Sequence, residues 1–214
     1  MRSIDELRSR AKEISAILYN IYPEATCSLD YKEPLQLVIS TILAAQCTDA
    51  RVNIVTKDLF KKYTSVNDYA DANPEELEQD IKSTGFYRNK TKNIIGCCKK
   101  LIKDFGGKVP NNMEDLLSLP GVGRKTANVV LSNIFGIPGI IVDTHCKRLS
   151  NRIGLTDKED PEKIEYDLME LLPENDWTAF SNCLVYHGRA ICDAKKPKCG
   201  QCPVALHCDF FNNN

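Results

Sequence analysis

Asn112-Met-Glu-Asp-Leu-Leu-Ser-Leu-Pro-Gly-Val-Gly-Arg-Lys-Thr-Ala-Asn-Val-Val-Leu-Ser-Asn-Ile-Phe-Gly136 reads as two helices joined by a glycine hairpin. Asn112 is a capping residue for a short helix from Met113 to Ser118. The second helix runs from Gly123 to Phe135 and stops at Gly136. Between them, Gly121 and Gly123 are expected to take positive φ and to let the backbone approach a ligand closely. Their N–H groups and the start of the following helix form an anion site suited to a phosphate, one that positions a ligand without reading a sequence. A surface lysine beside an ordinary turn is the plainer reading of the same residues.

Outward from this hairpin the chain is helical in both directions, because apolar residues recur three and four apart between recognisable caps. Ser3-Ile-Asp-Glu6 is a capping box for a helix with Ile4, Leu7, Ala11, Ile14 and Leu18 on one face. Pro34 opens an apolar run to Leu43, Val52 to Phe60 mark the next helix, and Asn73-Pro-Glu-Glu76 begins another. From Lys90, a stripe of Ile94, Ile95, Cys98, Leu101, Ile102 and Phe105 ends at Gly106-Gly107. Asp143 and Asp160-Pro161 cap two more helices, and a last one spans Thr178 to Ile191. The spacing therefore predicts an all-α chain of about ten helices. Gly139-Ile-Ile-Val142 has no partner strand and is read as a buried connector.

With 214 residues the chain has length for one large or two small domains. Its first residues are charged and no apolar run of signal-peptide or membrane-span length follows, so a soluble cytoplasmic protein with no membrane partner is expected. The net charge of −1 hides strong segregation. Lys82 to Lys108 holds eight Lys or Arg against one Asp, whereas Asp157 to Asp176 holds nine carboxylates against two lysines. A local basic surface is what phosphate contact requires, although solvated helix faces account for such runs equally well.

Ten cysteines without a secretory signal point to metal rather than disulfides. Cys192, Cys199, Cys202 and Cys208 crowd one seventeen-residue loop, with Cys199-Gly-Gln-Cys202 its only knuckle. An all-thiolate set in one compact loop suits a 4Fe-4S cluster, with zinc as the alternative and His207 a possible zinc ligand. Lys195, Lys196 and Lys198 sit on the segment between the first two cysteines, where a metal-tied loop could present them to phosphate or leave them simply in solvent. Cys27, Cys47, Cys97, Cys98, Cys146 and Cys183 show no ligand spacing and read as buried apolar residues or free thiols.

Leu119-Pro-Gly-Val-Gly-Arg-Lys-Thr-Ala127, Val142-Asp-Thr-His145 and the four-cysteine loop, in this order and spacing, resemble the endonuclease III family of helix-hairpin-helix DNA glycosylases and AP lyases. The resemblance covers almost the whole chain. It implies two helical domains, residues 27–137 as a helical barrel with the hairpin and residues 1–26 plus 138–214 as an iron-sulfur domain, with a DNA cleft between them. It implies a base excision repair enzyme that removes oxidised pyrimidines and cuts the strand 3′ to the abasic site through a lysine Schiff base. The partner would be double-stranded DNA carrying damaged pyrimidines or abasic sites, and the protein a monomer. By position, Lys125 would be the nucleophile and Asp143 the catalytic carboxylate, with the four cysteines holding the cluster. The helix start, Arg124 and partial burial are expected to favour the neutral, reactive amine. Gly121, Gly123, Arg124, His145 and the three loop lysines would contact DNA. Gln46 resembles the family's gap-filling glutamine, and Phe86 stands where the family has an apolar wedge, usually leucine. A helix-end polar residue and a core aromatic are the competing readings of those two. Asp143 on local sequence is also an ordinary N-cap. An adenine glycosylase of the same superfamily would lack a lysine at the hairpin, a non-catalytic helix-hairpin-helix DNA-binding protein is a further alternative, and an electron carrier would leave the hairpin and the Lys125 and Asp143 pair without purpose.

Overall fold

A computed structural model describes residues 2–213. Among the described residues there are twelve α-helices and no strand: α1 (Ile4–Ile21), α2 (Pro34–Leu43), α3 (Asp49–Lys62), α4 (Val66–Ala70), α5 (Pro74–Ile81), α6 (Tyr87–Phe105), α7 (Met113–Leu117), α8 (Arg124–Ile134), α9 (Thr144–Ile153), α10 (Pro161–Leu171), α11 (Trp177–Ala190) and α12 (Asp209–Asn212). Gly139–Val142 is a buried connector, as its sequence indicates. No helix among the described residues is long and apolar enough to cross a membrane. The chain divides into one compact unit of Ser28–Gly136 and another of Met1–Cys27 with Ile137–Asn214.

In the Ser28–Gly136 unit, α2 is apolar on almost every side and buries Leu37, Val38, Ile39, Ile42 and Leu43 against α3, α6 and α8. Helix α6 turns Ile94, Cys97, Cys98 and Leu101 into the same core, and α8 adds Ala127 and Val130. A fully buried Leu, Ile or Val stabilises by roughly 1.5–3 kcal/mol, whereas an exposed ion pair contributes about 0–1 kcal/mol. The apolar faces therefore hold the unit together. Two helices escape the sequence reading. Helix α4 is a single turn opened by a Ser65–Asp68 capping box, and α12 is as short, so neither has enough length to show a period.

Helix α6 begins at Tyr87 rather than Lys90, because its N-cap is Phe86 in the left-handed region, φ 50°. Lys90 departs further from expectation. Counted by sequence within a basic run, it is 3% exposed and donates from Nζ to the carbonyls of Leu43 and Thr84, both at 2.8 Å. Burial lowers its pKa.

In the other unit, α1 contributes Ala11, Ile14 and Leu18 to a core completed by Leu149, Ile164, Leu168, Phe180 and Leu184 from α9, α10 and α11. Helix α1 carries the expected capping box, with Ser3 and Glu6 bonded reciprocally. Helix α9 ends at Gly154, φ +82°, where an added Cβ would lie 1.9 Å from Oδ2 of Asp209. Asp209 in turn receives Arg2 and Arg10, so α12 is fastened to α1 beside the end of α9.

Candidate functional site

The hairpin is built on backbone geometry. Val122 N–H closes the turn on the Leu119 carbonyl at 3.1 Å, and Leu119 and Val122 are both buried. Gly121 needs to be glycine twice over: its φ is +78°, and a Cβ would fall 2.8 Å from the side chain of Asn93 on α6. Gly123 differs from expectation. It sits at φ −98° and ψ 177°, extended backbone open to any residue, because it is the N-cap of α8 rather than part of the turn. With no side chain to cap α8 and nothing within 4 Å of a Cβ position, it leaves that helix start open, the arrangement an anion site requires. Arg124 is half-buried. Lys125 is exposed rather than partly buried as expected, since the second residue of α8 points away from the face that buries Ala127 and Asn128.

Asp143 caps α9 and is half-buried. One carboxylate oxygen accepts from His145 N at 2.9 Å and Cys146 N at 2.8 Å, which leaves Oδ2 outside the cap. His145 is set by two residues that sequence reading passed over. Arg148 Nη2 lies 3.0 Å from His145 Nδ1, and since a guanidinium only donates, the ring proton sits on Nε2. Gly188 on α11 provides the room, because a Cβ there would be 2.6 Å from that same Nδ1. The signal available in the sequence was Arg148 and Arg152, one turn apart on the helix that Asp143 caps.

Gln46 and Phe86 are the two non-glycine residues with positive φ among the described residues, at 52° and 50°. Gln46 is exposed, and Phe86 is 63% exposed, so it is not a core aromatic.

Cys192, Cys199, Cys202 and Cys208 come together around one small pocket of about 20 Å³, walled by Arg152, Ile191, Phe210 and Phe211 among others. None of the four is in a disulfide. Two side chains bring nitrogens to the sulfurs: Arg152 Nη1 donates to Cys192 Sγ at 3.3 Å, and His187 Nε2 lies 3.3 Å from Cys202 Sγ, with Tyr22 Oη 3.0 Å from its Nδ1. Burial pushes His187 down to about 4, keeping the ring neutral at neutral pH. His207 is turned to Glu13 at 3.3 Å and takes no part. Arg152 also holds the carbonyls of Asp193 and Ala194, and Asp193 Oδ1 accepts from the backbone of Lys195 and Lys196, which shapes the lysine loop. Lys195, Lys196 and Lys198 are all exposed, and the Lys198 ammonium is bonded to the Ala190 carbonyl at the end of α11. Of the other six cysteines, Cys97, Cys98, Cys146 and Cys183 are buried and Cys27 and Cys47 half-buried.

The model for HhH-GPD superfamily base excision DNA repair proteins matches residues 39–174. The chain belongs to that superfamily. The iron-sulfur binding domain of endonuclease III matches residues 192–208, the loop that carries the four cysteines. Endonuclease III of Synechocystis is 56% identical over 97% of this chain and 95% of its own length, and that of Bacillus subtilis is 48% identical over 88% and 87%. Among solved structures, a non-covalent endonuclease III–DNA complex superposes with a TM-score of 0.92 at 42% identity, covering 100% of this chain and 98% of that one. A trapped endonuclease III–DNA covalent intermediate superposes equally well. This superfamily member is a bifunctional DNA glycosylase and lyase of base excision repair and carries a 4Fe-4S cluster. Burial pushes the Cys202 and Cys208 thiols up, and the positive charge of a bound cluster would offset this and hold them as thiolate ligands.

Proposed function

We propose that this glycosylase removes oxidised pyrimidines from double-stranded DNA, with Lys125 as nucleophile and Asp143 as the catalytic carboxylate, and then cuts at the abasic site it has made. The observation that carries the reading is an exposed lysine on the first turn of a helix whose start is left uncapped by the hairpin. A phosphate seated on that helix start would bring a deoxyribose within reach of Nζ. The neutral amine donates its lone pair to C1′ as the glycosidic bond breaks and its electrons leave with the base, which takes up a proton. Loss of the amine proton and opening of the sugar ring yield an imine. That imine acidifies C2′–H, and loss of this proton expels the 3′ phosphate as the C3′–O bond breaks. Water then hydrolyses the imine and returns the amine.

Arg124, the hairpin backbone, His145 through Nε2, and the loop lysines contact the DNA backbone in this reading, with Gln46 and Phe86 entering the stack where a base has left it. Lys195, Lys196 and Lys198 are all exposed, and Lys198 also ties the loop to the Ala190 carbonyl. The cluster, held by Cys192, Cys199, Cys202 and Cys208, supplies a rigid mount for that loop. The protein works in the cytoplasm as a monomer, which sedimentation with and without duplex tests.

The deciding experiment uses a duplex containing thymine glycol and borohydride, which reduces the imine to a stable protein–DNA adduct. The native chain should be trapped and should nick the strand. Lys125→Gln should bind the duplex somewhat more weakly, with the salt slope lower by about one, and form no adduct. Lys125→Arg should bind like the native chain and remain inactive, because a guanidinium does not deprotonate. An adduct at native levels in either variant removes Lys125 as the nucleophile.

A further inference from the structure

Lys90 is a buried cation whose two Nζ contacts are main-chain carbonyls. Filling space would be done more cheaply by methionine or leucine, since an ammonium removed from water is costly unless its donors are used. Its acceptors are not arbitrary. Leu43 is the last residue of α2, three positions before Gln46, in a terminal turn whose Ser40 and Ile42 carbonyls accept from Ala44 N and Ala45 N while the Leu43 carbonyl takes the Lys90 ammonium. Thr84 ends a 3-10 turn two positions before Phe86. Lys90 itself stands one turn into α6, where its N–H closes on the Phe86 carbonyl at 3.1 Å. One side chain thus fastens the approaches to Gln46 and Phe86. Both residues are in a left-handed conformation that non-glycine residues keep only where their surroundings enforce it.

We propose that Lys90 is a positioning residue for lesion extrusion, tying the loop of Gln46 to the loop of Phe86 so that both side chains are presented to the DNA in one fixed relation. The inference rests on the assignment of Gln46 and Phe86 as the residues that enter the base stack. It adds that they act as a unit, and that the unit is set by Nζ of Lys90. Neither loop has a disulfide, and both are short turns, so without this tie each would be free to settle into a less strained backbone of its own. The two side chains would then reach the duplex out of register.

The test uses the cluster-loaded full chain and a duplex carrying a tetrahydrofuran abasic analogue with 2-aminopurine opposite, whose fluorescence reports insertion into the stack. Lys90→Met keeps the length of the side chain and removes the donors. It should retain native cluster absorbance and bind undamaged duplex within about twofold, yet lose most of the fluorescence change and about tenfold or more in single-turnover cleavage of a thymine glycol duplex. Lys90→Arg, which keeps donors and charge, should restore the fluorescence change in part, and it carries the test should the methionine variant not fold. In a Gln46→Ala, Phe86→Ala background, Lys90→Met should add little further loss, because all three changes strike one unit. A full fluorescence change in Lys90→Met, no rescue by arginine, or an additive loss in the triple variant overturns the proposal while the roles of Gln46 and Phe86 stand. If Gln46→Ala and Phe86→Ala themselves leave the fluorescence unchanged, the assignment beneath it falls, and this proposal with it.

Discussion

At the scale of single residues, Asp143 has one oxygen for the cap it makes and another for the catalytic role proposed for it. Oδ1 is engaged with the first turn of α9, and Oδ2 lies outside that cap. Asparagine is as good an N-cap as aspartate, whereas alanine forfeits about 1 kcal/mol. Asp143→Asn should therefore melt at the native temperature and still lose about 10²–10⁴-fold in single-turnover base excision, the usual span for a lost acid–base group. Asp143→Ala should lose both stability and activity. Native excision rates in the asparagine variant would leave Asp143 with the cap alone. The hairpin shows the same division at Gly121 and Gly123. Only Gly121 is required by φ and by the closeness of Asn93, while Gly123 serves by leaving a helix start open.

Among elements, the small α12 shows how a terminal turn is kept in place by charge. Asp209 accepts from both terminal guanidinium nitrogens of Arg2 at 2.6 Å and from Arg10 Nη2 at 2.6 Å, and Arg10 also reaches the Ile153 carbonyl at the end of α9. The Arg2 hydrogen bond first, and then the charge of Arg10, hold the Asp209 carboxyl below its usual value of 3.8. Because the folded value is the lower one, this stabilisation is present above pH 3.8 and disappears as pH falls through the folded value. In urea titrations, the native chain should exceed Asp209→Asn in stability at pH 5 to 7, with the difference shrinking below about pH 4. Taking the difference removes the acid sensitivity that cluster thiolates bring to both proteins. A gap that is constant down to pH 3 would show that the arginines contribute packing rather than charge pairing.

For the whole molecule, the iron-sulfur loop is the part whose fold depends on something other than its own core. Four thiols enclose a cavity, and the segment between Cys192 and Cys199 is shaped by Asp193 and Arg152. The protein should be brown, absorb at about 400 nm and hold about four irons per chain. Cys199→Ser should lose that absorbance, expose the Lys195–Lys198 segment to proteolysis and weaken duplex binding. Unchanged affinity in the colourless variant would take the loop out of the DNA contact. Much of this was legible without coordinates. Caps such as Ser3, Asn73, Asn112, Asp143 and Asp160 are local, so the helices they open follow from residues a few positions apart. The hairpin and the four cysteines are equally compact in sequence. What escaped was whatever depends on burial or on distant partners. Lys90 reads as one more cation in a basic run, and only packing puts its ammonium against Leu43. Phe86 reads equally as core or surface until its backbone turns left-handed and leaves the ring in solvent. Tyr22, Arg152 and His187 carry no spacing signal toward the cysteines, because α1, α9 and α11 meet the loop only after folding. Sequence determined the helices and the short-range ligand sets, whose partners lie within a turn or a loop. Tertiary structure alone decided which polar groups left water, since desolvation belongs to the assembled core and not to any stretch of chain.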